Sequence, residues 1–196
     1  MNFLNPEVLI HSLGYAGIFA TIFLESGIFF GFFLPGDTLL FTIGFLASAG
    51  ILNYWFSLGG LIISAFLGAW VGYVFGQKIG GKIFFKKGSL LFDPENLQKT
   101  KRFYEKYGTW TVFLSRFVPV VRTFAPILAG VGKMDFKTFM RFNILGSIFW
   151  PLAIVSSGYF FGHQFPALHH YVMHVAIGIF AFAFVLSLWA IFKKKK

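Results

Sequence analysis

Residues 110–132 have the sequence WTVFLSRFVPVVRTFAPILAGVG. This stretch is apolar except for two arginines and is interrupted by two prolines: Arg116, Arg122, Pro119 and Pro126. Proline disrupts a helix interior, and an arginine at the centre of a spanning helix costs about 2.5 to 3.5 kcal/mol. Broken helices persist at membrane depth only where protein buries them or water reaches them. The stretch therefore predicts a re-entrant helical hairpin in an all-α membrane protein.

The composition of the whole chain also indicates that a lipid bilayer surrounds it. Of its 196 residues, 57% are hydrophobic and 12% are charged, whereas a soluble domain is about 25% charged. The mean hydropathy is +0.72. The formal net charge of +10 favours anionic lipid as a partner over nucleic acid in a chain this apolar. The absence of cysteine excludes disulfides and thiolate metal sites.

Apolar runs and their interruptions divide the chain into a single membrane domain, residues 1–196. No Lys or Arg precedes Lys78, so we expect the first apolar run to be retained and not cleaved as a signal peptide. The break at Pro35-Gly36-Asp37 predicts another re-entrant hairpin. The predicted segments are a helix over 8–24, hairpin 1 over 26–52, a span over 54–77, a basic cytoplasmic loop with amphipathic helical character over 78–108, hairpin 2 over 110–132, and spans over 136–162 and 171–192.

The distribution of lysine and arginine predicts the topology. If hairpin 2 returns to its own side, all basic clusters lie in the cytoplasm, including the C-terminal Lys193 to Lys196. Hairpin 1 then opens from the outer face and hairpin 2 from the inner face, which predicts an inverted repeat of the kind that many transporters use. Glu25 precedes Pro35, and Arg116 precedes Pro126, by the same ten residues. We expect a multi-pass protein of the inner (cytoplasmic) membrane with a cytoplasmic C-terminus.

Four ionisable residues lie inside apolar sequence: Glu25, Asp37, Arg116 and Arg122. Together they would cost on the order of 10 kcal/mol without partners, so we expect the two hairpins to bring them together around a hydrated cavity. The arginines are candidate phosphate ligands, and the acids are candidate proton carriers. Alternatively, acid and base simply neutralise each other and hold the hairpins together. The predicted hinges are Pro35, Gly36, Pro119 and Pro126.

The residues around these charges resemble a known family. The matching positions, in order, are Glu25, Pro35-Gly36-Asp37-Thr38-Leu39-Leu40, Phe113 to Arg122, Pro126, Ala129-Gly130, Met134, Phe139, Asn143, Gly146 and Trp150. From about residue 23 to residue 150 the chain resembles the DedA family, which is related to the VTT-domain (SNARE-associated Golgi protein-like) lipid scramblases. The resemblance implies an inner-membrane protein linked to recycling of lipid carriers such as undecaprenyl phosphate and to the proton motive force. It also implies that the functional acids and arginines are Glu25, Asp37, Arg116 and Arg122.

The function predicted from the sequence is transport, not catalysis. We expect a flippase for a phosphate-bearing lipid, polyprenyl (undecaprenyl) phosphate above all, coupled to protons and using no cofactor or metal. The alternatives are a proton or cation antiporter, a general phospholipid scramblase, and an intramembrane lipid phosphatase. The phosphatase is disfavoured because hairpin 2 contains no histidine to serve as a base.

Two further patterns have structural interpretations. Gly68, Gly72 and Gly76 recur every four residues, which favours close helix packing within the chain over a dimer interface, although a homo-oligomer stays possible. No acidic residue follows Asp135, so the late histidines are expected to lie at the membrane interface and not to bind metal. They are His163, His169, His170 and His174.

Overall fold

The described residues of the computed structural model are 6–27, 36–83 and 110–165, and their regular elements are all helical. The helices are α1 (Pro6–Gly27), α2 (Gly36–Ser48), α3 (Tyr54–Ile83), α4 (Trp110–Leu114), α5 (Pro119–Val131) and α6 (Phe136–Gln164), with a 3₁₀ turn at Ser115–Phe117. This confirms the all-α class. The sequence-based predictions for Pro35, for residues 84–108, for the span over 171–192, for His169, His170 and His174, and for the lysine tail lie outside the described residues.

Two of the helices are long and apolar enough to cross a bilayer. They are Tyr54–Lys78 within α3 and the whole of α6, Phe136–Gln164. Both correspond to spans predicted from the sequence. Large apolar side chains on these helices are exposed, including Trp55 and Phe160, as expected for a surface that faces lipid tails. The re-entrant course of the two hairpins and the inverted arrangement stay predictions.

The two short helices end in similar ways before the long ones begin. After α2 the chain turns at Gly50, and after α5 it turns at Lys133, each with a positive φ, of 75° and 54°. Asn53 then caps α3 by accepting a hydrogen bond from the Phe56 backbone N–H at 2.9 Å. Asp135 caps α6 by accepting the Thr138 backbone N–H at 2.9 Å. This hydrogen bond lowers the pKa of Asp135 below its ordinary value.

The chain forms two compact units whose boundaries fall inside α1, α3 and α6. Among the described residues, the first unit holds 6–22, 36–64 and 151–165, and the second unit holds 23–27, 65–83 and 110–150. Each unit therefore contains one 13-residue helix, α2 or α5, together with parts of both long helices.

Glycines set the packing of α2 against α6 in the first unit. A Cβ on Gly44 would overlap the Val155 carbonyl oxygen and crowd the Tyr159 nitrogen. A Cβ on Gly158 would overlap the Phe41 carbonyl oxygen. The two backbones therefore touch through one glycine on each helix, an arrangement typical of close helix contacts in membranes.

The second unit repeats this contact with the same spacing. A Cβ on Gly130 would overlap the Tyr73 carbonyl oxygen and crowd the Gln77 nitrogen, and a Cβ on Gly76 would overlap the Ile127 carbonyl oxygen. In both units, the short helix contributes a glycine and the residue three positions before it. The long helix contributes a residue, a glycine three positions later and the residue after that glycine. Each 13-residue helix is thus packed in the same register.

The glycine stripe of α3 is covered from within the chain. A Cβ on Gly68 would overlap the Phe23 carbonyl oxygen of α1, one on Gly72 would lie 3.1 Å from the Gly27 carbonyl oxygen, and Gly76 packs on α5. The packing favoured by the sequence is therefore present in the structure.

Gly130→Ala is expected to lower the free energy of unfolding by about 1 to 3 kcal/mol, because the added methyl group meets backbone that moves only with its helix. Thermal unfolding of the detergent-solubilised protein measures this. Gly59→Ala is the control, because no atom lies within 4 Å of a Cβ built there. Equal unfolding temperatures for the two variants would show that the glycine contact does not limit the packing of α5.

Candidate functional site

A break in the backbone separates the two arginines of hairpin 2. Val118 is extended, with φ −114° and ψ 109°, between the 3₁₀ turn and the first residue of α5, Pro119. Proline disfavours helical geometry in the residue before it, which explains the position of the break. Arg116 lies in the 3₁₀ turn, and Arg122 lies one turn into α5. The predicted hinge at Pro126 lies inside α5, while Gly36 is the first residue of α2.

Arg122 is paired with an acid from α1. Its Nη2 donates to Glu25 Oε1, and the two side chains are only 4% and 1% exposed. A charge-assisted hydrogen bond between buried ions offsets part of their desolvation cost. Glu25 and Arg122 are 97 positions apart, and the contact ties the end of α1 to the start of α5. The pair is electrically neutral when both groups are ionised.

Arg122 has a second partner in Trp150 of α6. The guanidinium carbon lies 4.4 Å from the centre of the indole ring, and Trp150 is 1% exposed. A cation this close to a buried aromatic face is stabilised by about 2 kcal/mol or more. The guanidinium therefore contacts a carboxylate and an aromatic ring.

Arg116 is equally buried but has neutral partners. Its Nη2 donates to Asn143 Oδ1 at 2.5 Å, to Ser147 Oγ at 3.1 Å and to the Ala65 carbonyl oxygen at 3.4 Å. The Arg116 side chain is 3% exposed. Within residues 6–27, 36–83 and 110–165, no carboxylate forms an ion pair with it. A buried charge without a counter-ion is costly, so the site around Arg116 is electrostatically suited to an anion.

The side chains that hold Arg116 hold one another as well. Asn143 Nδ2 donates to the Phe66 carbonyl oxygen at 3.2 Å, and Ser147 Oγ donates to Asn143 Oδ1 at 3.3 Å. Gly146 makes room for the arginine, because a Cβ there would lie 2.8 Å from Arg116 Cγ. Asn143, Gly146 and Ser147 on α6 therefore form, with the Ala65 carbonyl group of α3, a binding site for this guanidinium, which we call the seat.

The structure brings together three of the four predicted charged residues. Glu25, Arg116 and Arg122 lie in the second unit, whereas Asp37 lies in the first unit, half-buried in the first turn of α2. In the described part of the chain, no three histidine or acidic side chains form a cluster suited to a metal ion.

Three residues of α6 that contact the arginines had no predicted role, although Asn143 and Trp150 are among the positions that carry the family resemblance. Asn143, Ser147 and Trp150 are spaced i, i+4 and i+7 and so lie on one helical face. A signal was present, since two polar side chains and a tryptophan sharing one face of an otherwise apolar span indicate a contact surface.

Comparison with known proteins gives a consistent result. The VTT domain family matches residues 34–160. The chain is 38% identical to Protein DedA of Escherichia coli strain K12 over 184 residues, which is 93% of this chain and 84% of that protein. It is 34% identical to the uncharacterized membrane protein ML0287 of Mycobacterium leprae, covering 91% of this chain and 80% of that protein. It is 28% identical to the inner membrane protein YqjA of E. coli K12, covering 97% and 89%. No solved structure matches the chain.

Proposed function

The chain belongs to the VTT-domain family of DedA membrane proteins, and from that premise we propose that it moves a lipid with a phosphate head group across the membrane. The observation that carries the proposal is the buried Arg116 guanidinium, whose hydrogen-bond partners are all neutral. A phosphate would supply the missing counter-charge, and guanidinium groups bind phosphate through several donors at once. The lipid tail stays in the bilayer, so the protein need receive only the head. The expected substrate is polyprenyl phosphate, with undecaprenyl phosphate the foremost example.

The Glu25–Arg122 pair supports coupling to protons. While Glu25 is ionised it serves as the counter-ion of Arg122, and it competes with any substrate phosphate for that guanidinium. Protonation of Glu25 removes the competing charge. The head group then binds both arginines, and the charge lost from Glu25 is replaced by the charge of the phosphate. Asp37 is proposed as a further proton-handling group.

Trp150 holds Arg122 while the anionic partner of Arg122 changes from the Glu25 carboxylate to a phosphate. Its contact with Arg122 is made by the face of the indole ring and does not involve the carboxylate of Glu25. The guanidinium therefore keeps one partner while its anionic partner changes, and this limits the conformational freedom that must be lost when phosphate binds.

For the fold we propose two re-entrant hairpins of opposite entry, in a multi-pass protein of the inner membrane with a cytoplasmic C-terminus. The break at Val118 and the repeated glycine register of α2 and α5 support this arrangement. Relatives such as YqjA are named inner membrane proteins.

We propose a transporter and not an enzyme. The hydroxyl beside Arg116 belongs to Ser147, which donates to the Asn143 amide oxygen and accepts from the guanidinium. Neither contact is with a general base, which nucleophilic catalysis by serine needs.

Transport by the purified protein in liposomes tests the proposal. The liposomes hold polyprenyl phosphate with a fluorescent label, and a membrane-impermeant quencher reports the fraction in the outer leaflet. Labelled polyprenol without phosphate and labelled phosphatidylcholine serve as controls. We expect the phosphate to change leaflet at least about tenfold faster than in protein-free liposomes, which corresponds to lowering the barrier by about 1.4 kcal/mol. Acidification is expected to accelerate loading, as protonation of Glu25 requires.

Each alternative function gives a different result in this assay. A general scramblase moves phosphatidylcholine as fast as polyprenyl phosphate. An antiporter dissipates a pH gradient in liposomes that contain no polyprenyl phosphate. It moves neither polyprenyl phosphate nor phosphatidylcholine. Release of inorganic phosphate from the labelled lipid identifies a phosphatase. Each of these outcomes contradicts the proposal.

A further inference from the structure

We propose that Asn143 is a positioning residue that holds Arg116 through a neutral oxygen, so that the guanidinium keeps its full charge for the anionic head group. This inference rests on the proposed function and deepens it. An anionic head group is then selected both by Arg116 and by the neutral side chains that hold it. The seat consists of Asn143, Gly146 and Ser147 on α6 and the carbonyl group of Ala65 on α3.

The protein holds the Arg116 guanidinium by one nitrogen. The three hydrogen bonds of its guanidinium all leave from Nη2. A guanidinium has five N–H groups, three of them on Nε and Nη1. The hydrogen bonds that Arg116 makes within the described part of the chain do not use those three donors. The contacts therefore fix the position of Arg116 without consuming its capacity to bind an anion.

The Asn143 side chain is itself oriented by a hydrogen bond. Its Nδ2 donates to the Phe66 carbonyl oxygen of α3, so its Oδ1 is turned toward Arg116. Asn143 is fully buried, and Ser147 Oγ donates to the same Oδ1. An amide with one end fixed by a backbone carbonyl presents an acceptor and not a donor to the arginine. The hydrogen bond to α3 thus sets the orientation of the Asn143 amide, and α6 carries the side chain that contacts Arg116.

The two arginines of the same unit have contrasting partners. α1 gives Arg122 a carboxylate, Glu25, whose charge protonation can remove. α6 gives Arg116 an amide and a hydroxyl, which have no charge to remove. An aspartate at position 143 would have nearly the shape of asparagine and, while ionised, would neutralise Arg116. The neutral side chain therefore leaves Arg116 as the constant attraction for phosphate, while Arg122 responds to protons.

Asn143→Asp tests this inference with farnesyl phosphate as the probe and farnesol as the uncharged control. Binding is measured as thermal stabilisation of the detergent-solubilised protein at increasing probe concentration. We expect Asn143→Asp to raise the Kd for farnesyl phosphate about tenfold or more, because the new carboxylate competes for Arg116. We expect the unfolding temperature without probe to stay equal or to rise, because the same carboxylate pairs with the buried cation. A merely structural role for Asn143 predicts that affinity and unfolding temperature change together.

Two further variants sharpen the result. Ser147→Asp introduces a carboxylate into the seat from the next helical turn. It is expected to raise the Kd for farnesyl phosphate in the same way. Asn53→Asp makes the matched chemical change at the exposed cap of α3, where aspartate also caps a helix, and is expected to leave the Kd unchanged. Wild-type affinity in Asn143→Asp or in Ser147→Asp overturns the inference and leaves the proposed function intact. A wild-type protein that binds farnesyl phosphate no better than farnesol overturns the proposed function itself.

Discussion

Replacing Arg116 by lysine is expected to slow leaflet exchange of polyprenyl phosphate about a hundredfold or more, although the charge is formally conserved. The guanidinium reaches Asn143, Ser147 and the Ala65 carbonyl oxygen through Nη2 while donors remain on its other two nitrogens. An ammonium group has one nitrogen. A lysine that donates its three N–H groups to the same three acceptors has none left for the phosphate. The fluorescence-quenching assay in liposomes measures the rate.

Arg141→Lys is the matched control for this substitution. Arg141 lies on α6 and is exposed, so its replacement should leave the transport rate unchanged. If Arg116→Lys and Arg122→Lys together transport at the wild-type rate, the proposed head-group site does not exist. An antiporter that needs only its acids would give that result.

Removing the Glu25 side chain is expected to destabilise the protein by about 3 to 5 kcal/mol, because Glu25→Ala leaves Arg122 buried without its carboxylate. The double variant Glu25→Ala with Arg122→Ala is expected to recover part of this loss, since neither ion then remains buried. Unfolding of the four proteins of this double-mutant cycle in detergent gives the coupling energy. Strictly additive losses would contradict the ion pair.

The same cycle separates a structural tie from a proton-linked partner. We expect the transport rate of Glu25→Gln to lack the acceleration on acidification that protonation of Glu25 gives, because glutamine is uncharged at every pH. If Glu25 and Arg122 only hold α1 against α5, the double variant should transport normally once it is folded. Loss of transport in a folded double variant supports a direct role for the pair.

The charged part of the site was predictable from the sequence because charge in apolar sequence is expensive. Glu25, Arg116 and Arg122 stand out in a chain that is 12% charged, and the structure brings these three into one unit. Asn143 entered only as one of the positions that carry the family resemblance, because an uncharged amide adds little to a hydropathy sum. Its role depends on the Phe66 carbonyl oxygen 77 positions away, and no local pattern reveals such a contact.

Local chain chemistry predicted the position of one backbone break. Pro119 predicted a break, and the extended Val118 before it is that break. Pro126 lies inside α5, where a proline leaves the carbonyl group one turn earlier without its helical partner and crowds it, so the hinge at Pro126 stays a prediction. The ten-residue echo from Glu25 and Arg116 does not match the repeated packing. Glu25 lies in the separate helix α1, while Arg116 lies in the turn directly before α5.

The indole of Trp150 has a practical consequence. Of the tryptophans in the described part of the chain, Trp150 is the buried one, while Trp55, Trp70 and Trp110 are exposed. Bromine atoms on lipid tails extinguish the emission of the indoles they touch, which leaves Trp150 as the dominant fluorophore of these four; the fifth tryptophan, Trp189, is replaced by phenylalanine for this purpose. Its ring lies on the guanidinium that exchanges a carboxylate for a phosphate. Occupancy of the site can therefore be followed optically in an unlabelled protein, in real time and in a native-like bilayer.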